Sequence, residues 1–318
     1  MLPSLTSIAA RLKLRQLQFL IALDECRSLH KAAERAAITQ SGATKALREI
    51  ESTLGAVLFE RSAQGVAPND LGRCVVRYAR LIQTDLAHLR DEMLGILQGH
   101  GGRLAVGAIM GAVPRLLPDA LLRLRASQPG VSIEITEDTS ARLLGLLDVG
   151  RLDLALCRVS VSRRPDAYHF EPVADEPLAV FAHPKHRLGR SRKLRLADLA
   201  GLPWVVYPGS TPMRLLLERE LADAGLPMPA YPIETASVSA TIALLRADRA
   251  LVALLPADVG GVYEECGLVR RLPLRLGGRG EPYGIATRRD VQLSPVAALF
   301  VEKLREARTA PDPGDKRR

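Results

Sequence analysis

A chain of 318 residues is longer than one hydrophobic core usually serves, so two or three folding units are expected. With 47% hydrophobic and 25% charged residues the composition is that of a globular protein and excludes a fibrous or wholly disordered chain; only the basic, Pro/Gly/Asp-containing end at 311–318 reads as disordered. The formal charge of +9 favours polyanionic partners, and the surplus reads as spread out, with 13 Lys and Arg against 10 Asp and Glu in residues 1–98 and 28 against 23 in residues 99–310.

In chain order, Leu14, Leu17, Leu20 and Ile21 mark a first amphipathic helix. Ser28 is placed to cap a second, with Leu29, Ala32, Ala33 and Ala36 at i, i+3, i+4 and i+7. Thr39 can cap a third, with Ala43, Leu47, Ile50 and Leu54 along one face and Gly55 ending it. Val57 to Pro68 has the pattern of a short β-hairpin with Gly65 at the turn. A long helix follows from Asp70. Its apolar positions Leu71, Val75, Tyr78, Ile82, Leu86, Leu89, Met93 and Ile96 form a near-heptad stripe, which points to pairing between two subunits; packing on its own domain is the alternative.

Gly99-His100-Gly101-Gly102 then reads as a hinge. Beyond it strands and helices alternate. Strands are expected at Leu104–Ile109, Val131–Thr136, Leu152–Leu156, Leu178–Ala182, Trp204–Val206, Pro232–Glu234, Leu251–Leu254 and Tyr283–Thr287. Helices are expected at Pro114–Ala126, Thr139–Val149, Thr211–Ala224, Val238–Ala247 and Pro295–Ala307, giving an α/β architecture with mostly parallel sheets. The run Leu17–Leu23 is too short for a signal sequence and no stretch reaches the length of a membrane span, so the chain reads as cytoplasmic. Cys26, Cys74, Cys157 and Cys266 form no CxxC pair, which argues against zinc fingers and disulfide frameworks and favours buried, inert thiols over the alternative of a redox-sensing pair.

The second and third helices, joined by Ala36-Ala37-Ile38-Thr39, fit a helix-turn-helix, with Ala32 and Ala33 allowing close approach. With the third helix's apolar stripe facing inward, Ser41, Lys45 and Arg48 point outward and Gln40 and Thr44 lie on the flank. That set can read base edges or hold phosphates in a major groove. An ordinary solvated face is the alternative reading, but the following hairpin weighs against it: Phe59 can anchor it while Arg61, Ser62 and Gln64 project as a wing.

Leu14-Arg15-Gln16-Leu17, Ala32-Ala33-Glu34-Arg35, Thr39-Gln40-Ser41, Leu54-Gly55 and Leu58-Phe59-Glu60-Arg61 resemble, in order and spacing, the N-terminal signature of LysR-type transcriptional regulators. The resemblance implies base contacts from Gln40, Ser41 and Thr44, a cation at Lys45, and wing contacts around Arg61 and Gln64. It also implies an interrupted inverted-repeat operator, a dimer and a tetramer built from two dimers, with RNA polymerase as a further partner. Gly42, Ala43 and Ala36 depart from the usual pattern. Gly42 lowers helix propensity by about 1 kcal/mol relative to Ala, so the start of the third helix is expected to order fully only on DNA. Val106-Gly107, Leu116-Leu117-Pro118, Gly150-Arg151-Leu152-Asp153 and Leu254-Leu255-Pro256 are similar to the family's effector domain, whose fold is like type 2 periplasmic binding proteins. Within the family, Gly107–Pro118 with Arg158 most resembles the subgroup that includes galactose-binding-protein regulators.

The expected whole is thus an α+β multidomain chain: a winged helix-turn-helix over 1–69, a linker and dimerisation helix over 70–98, and a two-lobed α/β effector domain over 99–310, with crossovers near Arg158–Pro165 and Leu268–Arg279. In such sheets ligands sit beyond the carboxyl ends of strands. The candidate effector residues are therefore Met110, Gly111, Thr139, Ser140, Arg158, Ser210, Thr211 and Ser237, with Arg158 as the anchor for a polar or anionic metabolite unless Asp175 or Glu176 satisfies it. The hydroxyls at 210–211 would otherwise serve as helix caps. No cofactor is expected, because the six histidines include no HExxH, and neither GxSxG nor a Walker loop occurs. A solute-binding protein would leave residues 1–97 idle, and an NAD-type oxidoreductase lacks its phosphate loop; the chain therefore reads as a regulator and not an enzyme.

Overall fold

The computed structural model describes residues 2–62, 65–97, 101–114, 116–209, 211–277 and 281–309. Gln64, Ser210, the hinge residues 99–100 and the tail 311–318 lie outside the described residues, as does the side chain of Ile96. The chain divides into two compact units, residues 1–103 with Gly145–Leu152, and Leu104–Leu144 with Asp153–Arg318.

The N-terminal unit begins with a short helix that the apolar pattern does not reveal, α1 (Leu5–Arg11), which buries none of its residues. The expected series follows: α2 (Leu14–Cys26), α3 (Leu29–Arg35), α4 (Gln40–Leu54), an antiparallel hairpin of β1 (Phe59–Ser62) and β2 (Gly65–Pro68), and α5 (Asp70–Leu97). Local chemistry sets the helix ends. Ser28 Oγ accepts from Lys31 N–H, Thr39 Oγ1 accepts from Gly42 N–H at 3.1 Å, and Gly55 closes α4 in the left-handed region at φ 70°. α4 runs from Gln40 through Gly42, its first turn held by the Thr39 cap. Leu20 and Leu23, Ala32 and Ala33, Ala43, Leu47 and Ile50, with Leu58, Phe59, Val66 and Val76, form one core.

Polar contacts tie the hairpin down. Glu51 Oε1 accepts from the Leu58 and Phe59 N–H groups at 2.8 and 3.3 Å, and Val66 N–H donates to the Arg27 carbonyl at 2.9 Å. Asn69 Oδ1 accepts from Gly72 N–H while its Nδ2 donates to the Val57 carbonyl, both at 2.9 Å, so one side chain caps α5 and holds the hairpin's start. α5 buries Val76, Ala79 and Leu81, whereas Leu71, Tyr78, Ile82, Leu86, Leu89 and Met93 are 37–56% exposed. Val75 of the stripe packs against the N-terminal core, while these six positions stay exposed.

The C-terminal unit holds two five-stranded sheets. The first has the order β4-β3-β5-β12-β6, built from β3 (Arg103–Ala108), β4 (Ser132–Glu137), β5 (Leu154–Cys157), β6 (Tyr168–Ala174) and β12 (Tyr283–Arg288). The second has the order β11-β7-β10-β8-β9, from β7 (Leu178–Ala182), β8 (Trp204–Val206), β9 (Ile233–Glu234), β10 (Val252–Pro256) and β11 (Arg270–Arg271). The helices are α6 (Leu117–Ser127), α7 (Ser140–Asp148), α8 (Pro212–Asp223), α9 (Val238–Ala247), α10 (Ala257–Glu265) and α11 (Pro295–Thr309).

The sheets are mixed, not mostly parallel. β3·β5, β10·β8 and β8·β9 are parallel, but β7 runs antiparallel to β10 and β11, and β12 antiparallel to β5 and β6. The strands that follow each passage between the sheets, β7 and β12, run against their neighbours. The first passage is also later than expected. After Arg158 the chain adds β6 to the first sheet, and only residues 175–177 cross to the second; the return lies after β11 and before β12. Among the described residues no helix is long and apolar enough to cross a membrane.

Candidate nucleic-acid interface and ligand pocket

The α3–α4 pair is joined by a tight turn in which Ala37 takes φ 53°, a left-handed conformation unusual for a residue with a Cβ. With Ala43, Leu47 and Ile50 buried, α4 leaves Gln40, Ser41, Lys45 and Arg48 exposed and Thr44 partly so. Thr44 Oγ1 donates to the Gln40 carbonyl at 3.2 Å, which commits its proton and leaves its methyl and lone pairs for a base edge. Ser41 Oγ lies 3.1 Å from Thr39 Oγ1. Lys45, Arg48 and Arg61 have no ion-pair partner among the described residues. Arg61 stands exposed on β1 opposite Val66. A solvent-facing helix edge with two free cations and a cation on the adjoining hairpin suits a phosphate-lined groove. Gln16, in the first motif, has a local job: its Oε1 accepts from Lys13 N–H at 2.9 Å and starts α2.

In the C-terminal unit most of the polar groups on the expected loops are already engaged within the chain. Ser140 Oγ accepts from Arg158 N–H at 3.1 Å. Thr139 turns to Asp138. Thr211 Oγ1 caps α8 and donates to the Pro208 carbonyl at 2.8 Å, and Ser237 Oγ caps α9.

Arg158 is the largest departure from expectation. It is 5% exposed, and its guanidinium donates to Glu176 Oε2 at 2.6 Å and, through Nε, to the Glu281 carbonyl at 2.8 Å. Glu176 sits in the first crossing and Glu281 just before β12, so Arg158 braces both passages between the sheets. It is not a free anion anchor. The other Glu176 oxygen, Oε1, is buried without a hydrogen-bond partner, and a Cβ on Gly111 would lie 1.7 Å from it. Gly111 is therefore needed for the carboxylate to sit over this turn. Tyr207 donates to Met110 Sδ at 3.0 Å, and burial, with Glu176 and Glu137 nearby, pushes its phenol above the ordinary range.

Beside this brace lies a pocket of about 180 Å³ lined by Arg158, Glu176, Leu178, Met213, Arg219 and Glu281, among others. Arg219 is exposed on α8 and has no ion-pair partner among the described residues, whereas Arg214 is held by Glu218 and Glu234, and Arg142 approaches Asp138. Among the described residues Arg219 is the cation lining this pocket without an ion-pair partner, and nothing in its sequence context distinguishes it.

Of the four cysteines only Cys157 is buried; Cys26 is half-buried, and Cys74 and Cys266 are exposed, so the expectation of buried thiols fails for them. Burial pushes the Cys157 thiol up to about 12 in spite of Arg158 beside it. Among the described residues no His, Cys, Asp and Glu group has a metal-holding arrangement.

Comparison with known proteins covers nearly the whole chain. The sequence model for the bacterial regulatory helix-turn-helix protein, lysR family, matches residues 14–73, and that for the LysR substrate binding domain matches residues 97–309. The HTH-type transcriptional regulator GbpR of Azospirillum brasilense is 32% identical over 303 residues, covering 94% of this chain and 88% of that protein. The HTH-type transcriptional regulator GalR of Pseudomonas putida is 30% identical over 307 residues, covering 93% and 74%. The crystal structure of CbnR, a LysR family transcriptional regulator, superposes with a TM-score of 0.64 at 22% identity over 94% of this chain and all of that one. That of full-length CbnR complexed with its target DNA gives 0.63 at 24% identity over 93% and all of the other chain.

Proposed function

Since the chain belongs to the LysR family of bacterial helix-turn-helix regulators, we propose that it reads an interrupted inverted repeat in duplex DNA through the outer face of α4 and the adjoining wing. It is a DNA-binding transcriptional regulator with a small-molecule-binding C-terminal unit, not an enzyme. In this reading residues 1–69 bind DNA, 70–98 join subunits, and 99–310 bind the effector, all in the cytoplasm where the DNA lies. Gln40, Ser41 and Thr44 face bases; Lys45 and Arg48, with Arg61 and Gln64 on the wing, hold phosphates. The exposed apolar stripe on α5 pairs with a second copy, and two dimers form a tetramer that meets RNA polymerase at the promoter. The effector is a small polar molecule for which Met110, Gly111, Thr139, Ser140, Ser210, Thr211 and Ser237 are the candidate contacts; of the expected residues Arg158 is the one that lines the pocket beside the Arg158–Glu176 brace. An anionic group on it is met by Arg219.

The observation that carries the reading is a capped, continuous α4 whose exposed face holds two unpaired cations beside amide and hydroxyl groups. Its test is a pair of substitutions assayed by fluorescence anisotropy on operator and random duplexes. Thr44→Ala lowers operator affinity by about 1–3 kcal/mol and leaves random DNA unchanged, because one base contact is lost. Lys45→Ala weakens both and flattens the salt dependence by about one phosphate per bound subunit. Identical behaviour of the two variants would remove α4 as the reading element.

A further inference from the structure

Between Glu176 and Asp198 the sequence contains no acid, yet residues 185–195 hold Lys185, Arg187, Arg190, Arg192, Lys193 and Arg195. Those six exceed the whole surplus of residues 99–310, where 28 cations face 23 acids, so the charge that reads as spread out is concentrated in one segment. The fold then adds to it. Leu194 N–H donates to the Pro273 carbonyl at 3.0 Å, and Leu194 and Leu274 form a parallel bridge, which lays this segment beside β11 and the residues after it. Leu194, Leu196, Leu272 and Leu274 are buried, and the alternating partners Lys193, Arg195, Arg271 and Arg275 are exposed. With Arg192 they line a trough of about 1020 Å³. Glu264 is the acid lining it, and its Oε1 is already taken by Arg271 N–H at 2.8 Å. Arg195 reaches Asp198 only at 4.0 Å, and Arg192, Lys193, Arg271 and Arg275 have no ion-pair partner among the described residues.

Uncompensated like charges on neighbouring strands repel, so a fold that gathers them has another use for them. Guarding a sheet edge accounts for Arg270 and Arg271, because β11 is an edge strand. It does not account for the 185–195 segment, which is loop and short 3-10 turn. The cations are mostly guanidinium groups, whose fork matches phosphate oxygens in pairs, and they line an open trough instead of enclosing a small ion. The phosphate polyanion that a LysR-family regulator meets is DNA. We infer that this trough takes the sugar–phosphate backbone of duplex DNA outside the operator half-sites, adding a sequence-independent contact to the one made by α4.

The inference does not depend on which α4 side chains read bases, and one experiment isolates it. The full chain and its Arg192→Gln/Lys193→Gln/Arg275→Gln variant are compared on two duplexes, one ending at the half-sites and one extending about two helical turns beyond each. The three side chains are exposed and make no contact that the fold uses, so melting temperatures should agree. Affinity is measured from about 50 to about 200 mM salt. Three lost phosphate contacts in each engaged trough lower the logarithmic salt slope by about 2.7 per trough, so over that range the variant loses at least roughly fortyfold less affinity than wild type, and only on the long duplex. An unchanged slope on the long duplex overturns the inference. An equal fall on both duplexes overturns it too, since the attraction is then diffuse or within the operator. Wild-type DNA binding with lost activation in a purified transcription assay would instead assign the trough to an acidic protein partner. Loss of operator preference in the wild-type chain would count against the α4 reading and leave this comparison intact.

Discussion

Replacing Glu176 with Ala isolates the work of the buried ion pair. Arg158 and Glu176 are 5% and 3% exposed and meet at 2.6 Å. Without the carboxylate, the guanidinium keeps only the Glu281 carbonyl as an acceptor and stays out of water. Stranding one member of such a pair costs about 3–5 kcal/mol. Arg158 can lean toward the adjoining pocket and recover some hydration, so the lower end, about 3 kcal/mol, is expected. At about 2–4 °C per kcal/mol for a unit of this size, the C-terminal transition should fall by roughly 6–12 °C. Calorimetry of the full chain reads this, with operator affinity as the control that the N-terminal unit is intact. Arg158→Met/Glu176→Leu strands no charge and should lie within about 2 kcal/mol of wild type, the residue being the unpaired Glu281 carbonyl. With the single variants Arg158→Met and Glu176→Leu closing the cycle, each stranding one charge, the coupling should be at least about 2 kcal/mol. A cycle additive within about 0.5 kcal/mol would refute the brace, and Arg158 would return as a candidate ligand anchor.

On α5, Ile82→Asp with Leu89→Asp should turn the dimer into a monomer by light scattering and weaken operator binding, since four charges would be desolvated at the seam of two helices. An unchanged mass would place the subunit contact elsewhere. Gly72→Ala should lower the melting temperature of the N-terminal unit by an amount equivalent to about 1–3 kcal/mol or more, because its Cβ would stand 2.0 Å from the Leu58 carbonyl oxygen and 2.9 Å from Pro68 Cβ. Wild-type melting would mean that α5 does not start against the hairpin in this way. His186 is buried with its proton affinity lowered, by burial first and by Arg187 and His183 next. Below about pH 6.5 the unfolded chain takes up a proton that the folded one refuses, so stability of the C-terminal unit should fall as pH drops through that value. Urea titrations of wild type and His186→Gln at about pH 7.5 and 5.5 should show a smaller loss in the variant; equal losses would exclude His186 as the source.

What was legible in the sequence was local. Caps at Ser28 and Thr39, the inward stripe on α4, the Gly55 stop and the hairpin all depend on residues within a few positions of one another, and each stands where it was expected. The misses are tertiary. β6 is an edge strand interrupted by Pro172, with weak alternation in its burial, and nothing short of its partner β12 declares it a strand. α10 contains Gly260-Gly261, which reads as a loop; it is helical because a Cβ at Gly260 would meet the Phe181 ring at 2.2 Å, so the glycine lets the helix pack on β7. The parallel sheets failed because alternating strands and helices do not announce which strand follows a passage between sheets. The α4 face could be listed residue by residue from helical spacing, whereas the pocket could not. Arg158 and Glu176 are 18 positions apart, and only the crossing at 175–177 brings the carboxylate to the guanidinium.

One titration tests base reading by α4 most directly. Purified full-length protein is footprinted at physiological salt on its highest-affinity genomic site and on the same duplex with both half-sites scrambled. A regulator that reads bases through α4 should bind the intact site about 10³-fold tighter or more, protect two half-sites on one face of the duplex, and lose most of that margin with Thr44→Ala and Gln40→Ala combined. Equal affinity for the intact and scrambled duplexes would contradict it.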